Sequence, residues 1–298
     1  MRRVAKWSAI GLAIVLLGVT ALFAVSWAVT GKAMSRTYAV SDPPLRVETT
    51  AEALARGRHL FDTRGCGDCH GPQGAGRVLI DDPVLGRIVP SNLSRSVRDP
   101  AYTDDALGAA IRHGIRPDGT PLLIMPSGEF ADFEDRDVAA LVAYMRSLPA
   151  SDNAPGTSSV RPVGRVLYTL GKLPLFSAER IDHAPRARQA PVAAITPEYG
   201  RYVAQSCTGC HGPGLAGNTV VIPGKPKSAN LTPHADGLAA WQEADFLRLM
   251  HTGRRPDGTA VDPLMPWPAY DRMDDTELRA VWAYLRTVPP VPGKPKRR

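Results

Sequence analysis

Two pentapeptides decide the fold: Cys66-Gly67-Asp68-Cys69-His70 and Cys207-Thr208-Gly209-Cys210-His211. All four cysteines of the 298-residue chain lie in them. A C-x-x-C-H run is the attachment spacing of c-type haem. The two-residue gap lets two thiols reach two vinyl groups of one porphyrin, and the next imidazole is directed at the iron. At this composition a single such run arises by chance in about one sequence in a thousand, and two are far rarer. A zinc ribbon also pairs two C-x-x-C units, but about 15 to 20 residues apart and with no obligatory histidine; here 137 residues separate Cys69 from Cys207. A redox dithiol would want a βαβ context, and disulfides at this spacing would join neighbouring cysteines poorly. The runs therefore predict two covalently bound haem c groups.

Outward from these runs the chain reads as a duplication. Asn92-Leu93-Ser94 recurs as Asn230-Leu231-Thr232, and Tyr102-Thr103-Asp104 as Trp241-Gln242-Glu243. Arg116-Pro117-Asp118-Gly119-Thr120 recurs as Arg255-Pro256-Asp257-Gly258-Thr259, and Ala143-Tyr144-Met145-Arg146-Ser147-Leu148-Pro149 as Ala283-Tyr284-Leu285-Arg286-Thr287-Val288-Pro289. A methionine is more often core filler than ligand, so the repeat serves as the filter. Of seven methionines, only Met125 (before Pro126) and Met265 (before Pro266) occupy equivalent positions, 55 and 54 residues after His70 and His211. Met145 maps onto Leu285, Met273 onto Phe133, and His113 onto Thr252. The axial iron ligands are therefore expected to be His70 with Met125 and His211 with Met265. Iron held on both sides has no position open to substrate or oxygen, which leaves single-electron transfer, and a thioether ligand raises the potential.

The elements predicted for each copy are helical. One helix ends in the haem run (51–64 and 197–206), a second lies mid-module (103–113 and 241–251), and an amphipathic one closes it. In the last, Val138, Leu141, Val142 and Met145, and likewise Leu278, Val281, Trp282 and Leu285, recur at helical spacing. Asp135 and Asp274-Asp275 stand near its start, as helix N-termini prefer. No alternating strand pattern appears. Asn92 and Asn230 head formal glycosylation sequons; their twin placement predicts a loop beside each haem, with the amide in reach of a propionate. The two Arg-Pro-Asp-Gly-Thr segments lack the further acids of a calcium loop and read as turns.

Residues 7–31 contain no charged side chain, after Arg2, Arg3 and Lys6. At ~1.5 Å per residue they span roughly 37 Å, enough for a ~30 Å hydrocarbon core. The competing reading is a cleaved signal peptide, with Ala24-Val25-Ser26 or Ala33-Met34-Ser35 as weak cleavage sites. Signal cores are shorter, about 7 to 15 residues, so an uncleaved anchor is expected. The positive N-terminus then stays in the cytoplasm and the body is exported. Without a cysteine near residue 30, a lipoprotein anchor does not apply.

Composition agrees. Apolar residues make 44% and charged residues 22% of the chain, which is globular. Aromatics reach only 6%, a deficit that a buried porphyrin would fill. The net charge of +7 suggests nucleic acid until it is divided: residues 1–32 and 291–298 carry +8 and residues 161–190 carry +4, leaving −5 elsewhere. No basic face remains for phosphates, and nucleic-acid binding is excluded.

Together these residues resemble the membrane-associated multihaem class I cytochromes c, which include the cytochrome subunits of bacterial alcohol and gluconate dehydrogenases. The likeness covers about residues 51–290. It implies an all-α fold: two tandem class I cytochrome c modules after an N-terminal transmembrane helix. The expected division is a cytoplasmic end at 1–6, anchor 7–31, linker 32–50, first module 51–150, interdomain linker 151–190, second module 191–290 and basic tail 291–298. Within the linker, 165–176 is too apolar for a free tether and should pack on one or both modules. The resemblance implies a membrane-anchored periplasmic relay between a dehydrogenase or quinol-oxidising complex and a terminal acceptor. It departs from those subunits, which usually carry three haems. The alternative is a haem enzyme of the dihaem peroxidase or thiosulfate dehydrogenase type, which needs one open iron.

Overall fold

The computed structural model of the chain describes residues 2–218 and 226–293. The tail residues 294–298 lie outside the described residues. With no charge to interrupt it, the apolar N-terminus forms one long helix, α1 (Arg2–Ser35). It is long and apolar enough to cross a membrane, and its large side chains from Val4 to Val29 stand exposed. The irregular segment after it is pinned to the body: Tyr38 N–H donates to Gly119 O (3.0 Å) and Leu45 N–H to Asp105 Oδ1 (2.8 Å). Asp42 accepts from His113 Nε2 (2.9 Å) and from Arg188 Nη1 (2.7 Å).

The first module starts with α2 (Ala51–Thr63), capped by Thr50, whose hydroxyl accepts from Ala53 N–H. The haem run is itself a short helix, α3 (Cys66–His70). A hairpin follows, β1 (Ile80–Asp82) and β2 (Gly86–Ile88), then α4 (Leu93–Ser96) and α5 (Asp104–His113). Thr103 caps α5, Asp104 and Asp105 favour its positive end, and Gly114 at φ 66° ends it in the left-handed conformation. A 3-10 turn (Ser127–Glu129) follows Met125-Pro126, and α6 (Asp135–Ser147) closes the module.

The linker contributes β3 (Ser159–Val160) and α7 (Pro162–Thr169). The second module repeats the order with α8 (Pro197–Val203), α9 (Gln205–His211), α10 (Glu243–Thr252), α11 (Trp267–Tyr270) and α12 (Asp275–Leu285). Both Arg-Pro-Asp-Gly-Thr segments are turns: Asp118 accepts from Thr120 N–H and Oγ1, and Asp257 from Thr259 N–H and Oγ1.

The modules are helical as expected, but the described residues also hold a three-stranded antiparallel sheet, β1-β2-β3. The linker lends its third strand, with Gly86 opposite Val160 and Arg87 opposite Ser159. The apolar linker run packs on the first module and on α1. Leu175 and Phe176 are buried with Val160 and Ala33.

In each module the first and last helices cross where a glycine allows it. A Cβ on Gly57 would stand 2.0 Å from Ala140 O, and one on Gly200 1.8 Å from Ala280 O. The backbones therefore touch, and any larger residue would force them apart. One apolar core then runs through both modules, joining Phe61, Leu141 and Val142 to Tyr202, Leu278 and Val281.

The seam between modules is reciprocal, as in a two-fold dimer. His59 on α2 meets Glu277 on α12 (2.7 Å), and at the equivalent place Tyr202 OH on α8 donates to Asp137 on α6 (2.7 Å). Arg64 adds a second contact to Glu277 (2.6 Å), and Arg56 grips Asp137 through two nitrogens (2.7 and 2.8 Å). Burial works against the charge on Glu277, yet Arg64 and His59 outweigh it and hold the carboxyl down at about 2. His59, Asp274 and Glu277 lie close enough to hold a cation. Arg64 already supplies the positive charge there, so the cluster is an ion-pair clamp.

Candidate metal centres

Each module opens one cleft behind its haem run. In the first, Cys66, Cys69 and His70 share the walls with Ser91, Tyr102, Met125, Pro126 and Phe130; Leu107, Ile111 and Leu141 make it apolar. In the second, Cys207, Cys210 and His211 share them with Asn230, Trp241, Met265, Pro266 and Tyr270. Both clefts are walled mainly by apolar side chains, the lining a large planar cofactor needs. The structure thus brings together every cysteine, histidine and methionine that the repeat singled out, one set per cleft.

The two histidines are oriented alike. His70 Nδ1 lies 2.8 Å from Ser91 O, and His211 Nδ1 lies 2.8 Å from Ala229 O. A carbonyl can only accept, so Nδ1 carries the proton and Nε2 keeps its lone pair for a metal. Burial lowers the pKa of both imidazoles and so holds them neutral, as ligation requires. Burial also pushes the Cys66 and Cys207 thiols up to about 12. These sulfurs sit where charge is disfavoured, which suits an uncharged thioether and not a zinc-bound thiolate. The residues therefore fit haem c: two thiols that would bond the porphyrin, and a neutral imidazole and a methionine for the iron, per cleft.

The other five histidines are paired elsewhere. His59 meets Glu277, His113 meets Asp42 and His183, and His183 also contacts Ala178 O. His234 faces Asp236 and His251 faces Asp271. Two methionines outside the repeat, Met145 and Met250, line the clefts from α6 and α10 as buried packing.

Asn92 and Asn230 act as braces within the chain. Asn92 Nδ2 donates to Ser151 O (2.9 Å) and Asn153 O (3.0 Å), while its Oδ1 accepts from Ser94 Oγ (2.7 Å) and Arg95 N–H (3.3 Å). Asn230 Nδ2 donates to Asp236 Oδ1 (2.9 Å) and Val291 O (2.8 Å), and its Oδ1 accepts from Thr232 N–H and Oγ1. Both donor and acceptor ends are engaged within the chain, and Asn230 also lines the second cleft. Each amide fixes the backbone next to the carbonyl, Ser91 O or Ala229 O, that orients the histidine.

Sequence reasoning missed the residues between the clefts. Arg64 lines the first cleft, and its positive field reaches both Cys66 and Cys207. Glu129, four residues after Met125, leans across the seam, its Oε1 1.7 Å from where a Cβ on Gly209 would stand. Burial alone pushes that carboxyl up to about 8. Tyr270 lines the second cleft, and burial raises its hydroxyl well above the usual range, with Glu129 and Cys207 adding to the rise. Neither Arg64 nor Glu129 is repeated, so the duplication gave no signal for them.

Comparison with known proteins agrees with this geometry. Residues 52–145 match the family model described as cytochrome c oxidase, cbb3-type, subunit III, and residues 198–289 match that for cytochrome c. A diheme cytochrome c-type protein of Cereibacter sphaeroides is 28% identical over 84% of this chain and 90% of its own length. The fructose dehydrogenase cytochrome subunit of Gluconobacter japonicus is 27% identical over 80% of this chain and 53% of its own. The cytochrome c subunit of a quinone alcohol dehydrogenase from Gluconacetobacter polyoxogenes is 29% identical over 76% and 54%. The chain thus spans about half the length of the dehydrogenase subunits it matches.

Proposed function

Because the chain is a dihaem cytochrome c, two cytochrome c domains with two covalently bound haem c groups, we propose that it is a membrane-anchored relay in the periplasm. It takes single electrons from a dehydrogenase or quinol-oxidising complex and delivers them to a terminal acceptor. The observation that carries this reading is the paired His70/Met125 and His211/Met265 on the walls of the two clefts. His70 with Met125, and His211 with Met265, would hold the two haem irons and would leave no coordination site for a substrate. Bound haem supplies a one-electron iron couple in each module, its potential raised by thioether ligation.

The residues of the chain do the rest. Ser91 and Ala229 carbonyls hold the imidazoles in one tautomer. The apolar cleft walls exclude water. The seam ties the modules into one body, with Arg64, Glu129 and Tyr270 between the clefts, which supports transfer from one module to the other.

An uncleaved anchor is supported by how α1 ends. Ser26, Thr30 and Ala33, one face of its last turns, are buried against the body, and Ala33 joins the cluster of Val160, Leu175 and Phe176. Cleavage at Ser35 would strip that cluster of a wall, and cleavage at Ser26 would cut α1 within its buried face. The dehydrogenase partner is supported by the names of the relatives. Crosslinking in native membranes followed by mass spectrometry tests the reading. We expect a dehydrogenase or quinol-oxidising subunit coupled to the intact N-terminus; crosslinks to neither class, or a mature chain beginning after residue 24, would overturn it.

A further inference from the structure

Part of the linker has a role that electron transfer does not use. Helix α7 is wedged between α1 and the first module. On one side a Cβ on Gly164 would stand 2.2 Å from Leu85 O in the β1–β2 hairpin, so the helix lies directly on the hairpin. On the other side the guanidinium of Arg165 stacks 3.9 Å above the ring of Trp27.

Trp27 fixes the depth of that contact. Trp7 and Trp27, 70% and 58% exposed, are the two tryptophans of α1, near the ends of its uncharged stretch. Twenty residues at ~1.5 Å separate them by roughly 30 Å, the thickness of the hydrocarbon core, and tryptophans favour the two interfaces. Whatever packs on Trp27 therefore lies at headgroup level on the exported side.

The chemistry of α7 suits that level. Val163, Val166, Leu167 and Leu170 recur at helical spacing on one face, with Val163 38% and Leu170 55% exposed. Val84, at the tip of the adjoining hairpin, is 50% exposed. Arg165 supplies a cation at Trp27, and Lys172, two residues after Leu170, is an exposed second one. Apolar side chains beside cations are the pattern of a helix lying in the membrane surface.

We propose that α7 and the tip of the β1–β2 hairpin lie in the phospholipid headgroup layer of the exported leaflet and seat the first module against the bilayer. This rests on α1 being a retained anchor. The first module is then the membrane-proximal one.

Nitroxide depth measurements on the full haem-loaded chain in phospholipid bilayers test this. The native cysteines are consumed by thioether bonds, so a label reports only an introduced cysteine: Leu16→Cys, Val84→Cys, Leu170→Cys or Val192→Cys, all at exposed positions. The expected result is Leu16 in hydrocarbon, Val84 and Leu170 at headgroup depth, and Val192 in water, with Leu170 several-fold less accessible than Val192 to a water-soluble relaxant. Val84 and Leu170 as accessible as Val192, with Leu16 in hydrocarbon, would overturn the seating and leave the anchor standing. Leu16 in water would overturn both.

Discussion

The two modules hold their cofactors with the same residues and differ where they face each other. Haem run, histidine-orienting carbonyl, methionine-proline pair and crossing glycine all recur. Across the seam the first module has two extra residues between α2 and its haem run: His59 stands seven before Cys66, whereas Tyr202 stands five before Cys207. That insertion carries Arg64. Where the first module has Glu129 and Phe130 after its methionine, the second has Ala269 and Tyr270. What is repeated binds the cofactor; what is not repeated joins the modules and makes their electrostatics unequal.

The largest effect expected comes from breaking one copy of the repeated set. Changing Cys66 and Cys69 together to Ala, or Cys207 and Cys210 together, should lower covalently bound haem from two per chain to one, as read by a haem assay on the purified protein. A chain still carrying two after either change would break the equivalence of the modules. Next, Gly57→Ala and Gly200→Ala should destabilise alike, because each Cβ would be driven into a carbonyl at 2.0 or 1.8 Å. Both should cut the yield of haem-loaded protein, and a tolerated substitution at either would show that helix crossing to be slack.

The seam should respond unequally. Removing a partner from a buried ion pair costs about 3–5 kcal/mol, so Glu277→Ala, which strands Arg64, should lower thermal stability by that order. Tyr202→Phe removes one hydroxyl from Asp137 and should cost about 1 kcal/mol. Acid sharpens the contrast. Glu277 is held at about 2 against a usual 4.5, so its contribution is complete above pH 4.5 and drains as pH falls toward 2. Glu277→Gln should flatten stability over that window, and an unchanged acid profile would count against the clamp.

The smallest effect is at Glu129, whose carboxyl sits near 8. The folded chain keeps a proton that the unfolded chain has released between pH 4.5 and 8, so this residue erodes stability as pH rises through that range. Above pH 8 a carboxylate stands beside the Cys207–His211 run and favours the oxidised iron. The midpoint potential of that module should then fall more steeply with pH than that of the first. Glu129→Gln should remove the excess slope; equal slopes in the unaltered protein would remove the asymmetry from the account.

The cofactor sites were legible because covalent attachment fixes residue type and spacing, and because duplication separates Met125 and Met265 from Met145 and Met250. The crossing glycines left a comparable signal, since Gly57 and Gly200 fall at matching places. Ser91 and Ala229 left none, since a backbone carbonyl acts whatever side chain accompanies it. Strands of two or three residues such as β1, β2 and β3 are too short to show alternation. Asn92 and Asn230 were found by their twin placement, but their bonds within the chain were not, because sequence does not reveal which carbonyls a fold brings to an amide. Arg64 and Glu129 escaped because the filter that found the ligands discards whatever occurs once.

The central claim is that both irons are closed by a histidine and a methionine of the chain. Absorption and electron paramagnetic resonance spectra of the purified ferric protein test it most directly. The account predicts two low-spin haems per chain, each with a sulfur-to-iron charge-transfer band, one lost in Met125→His and the other in Met265→His. A high-spin fraction that binds cyanide or peroxide readily would contradict it and point to an open, catalytic iron.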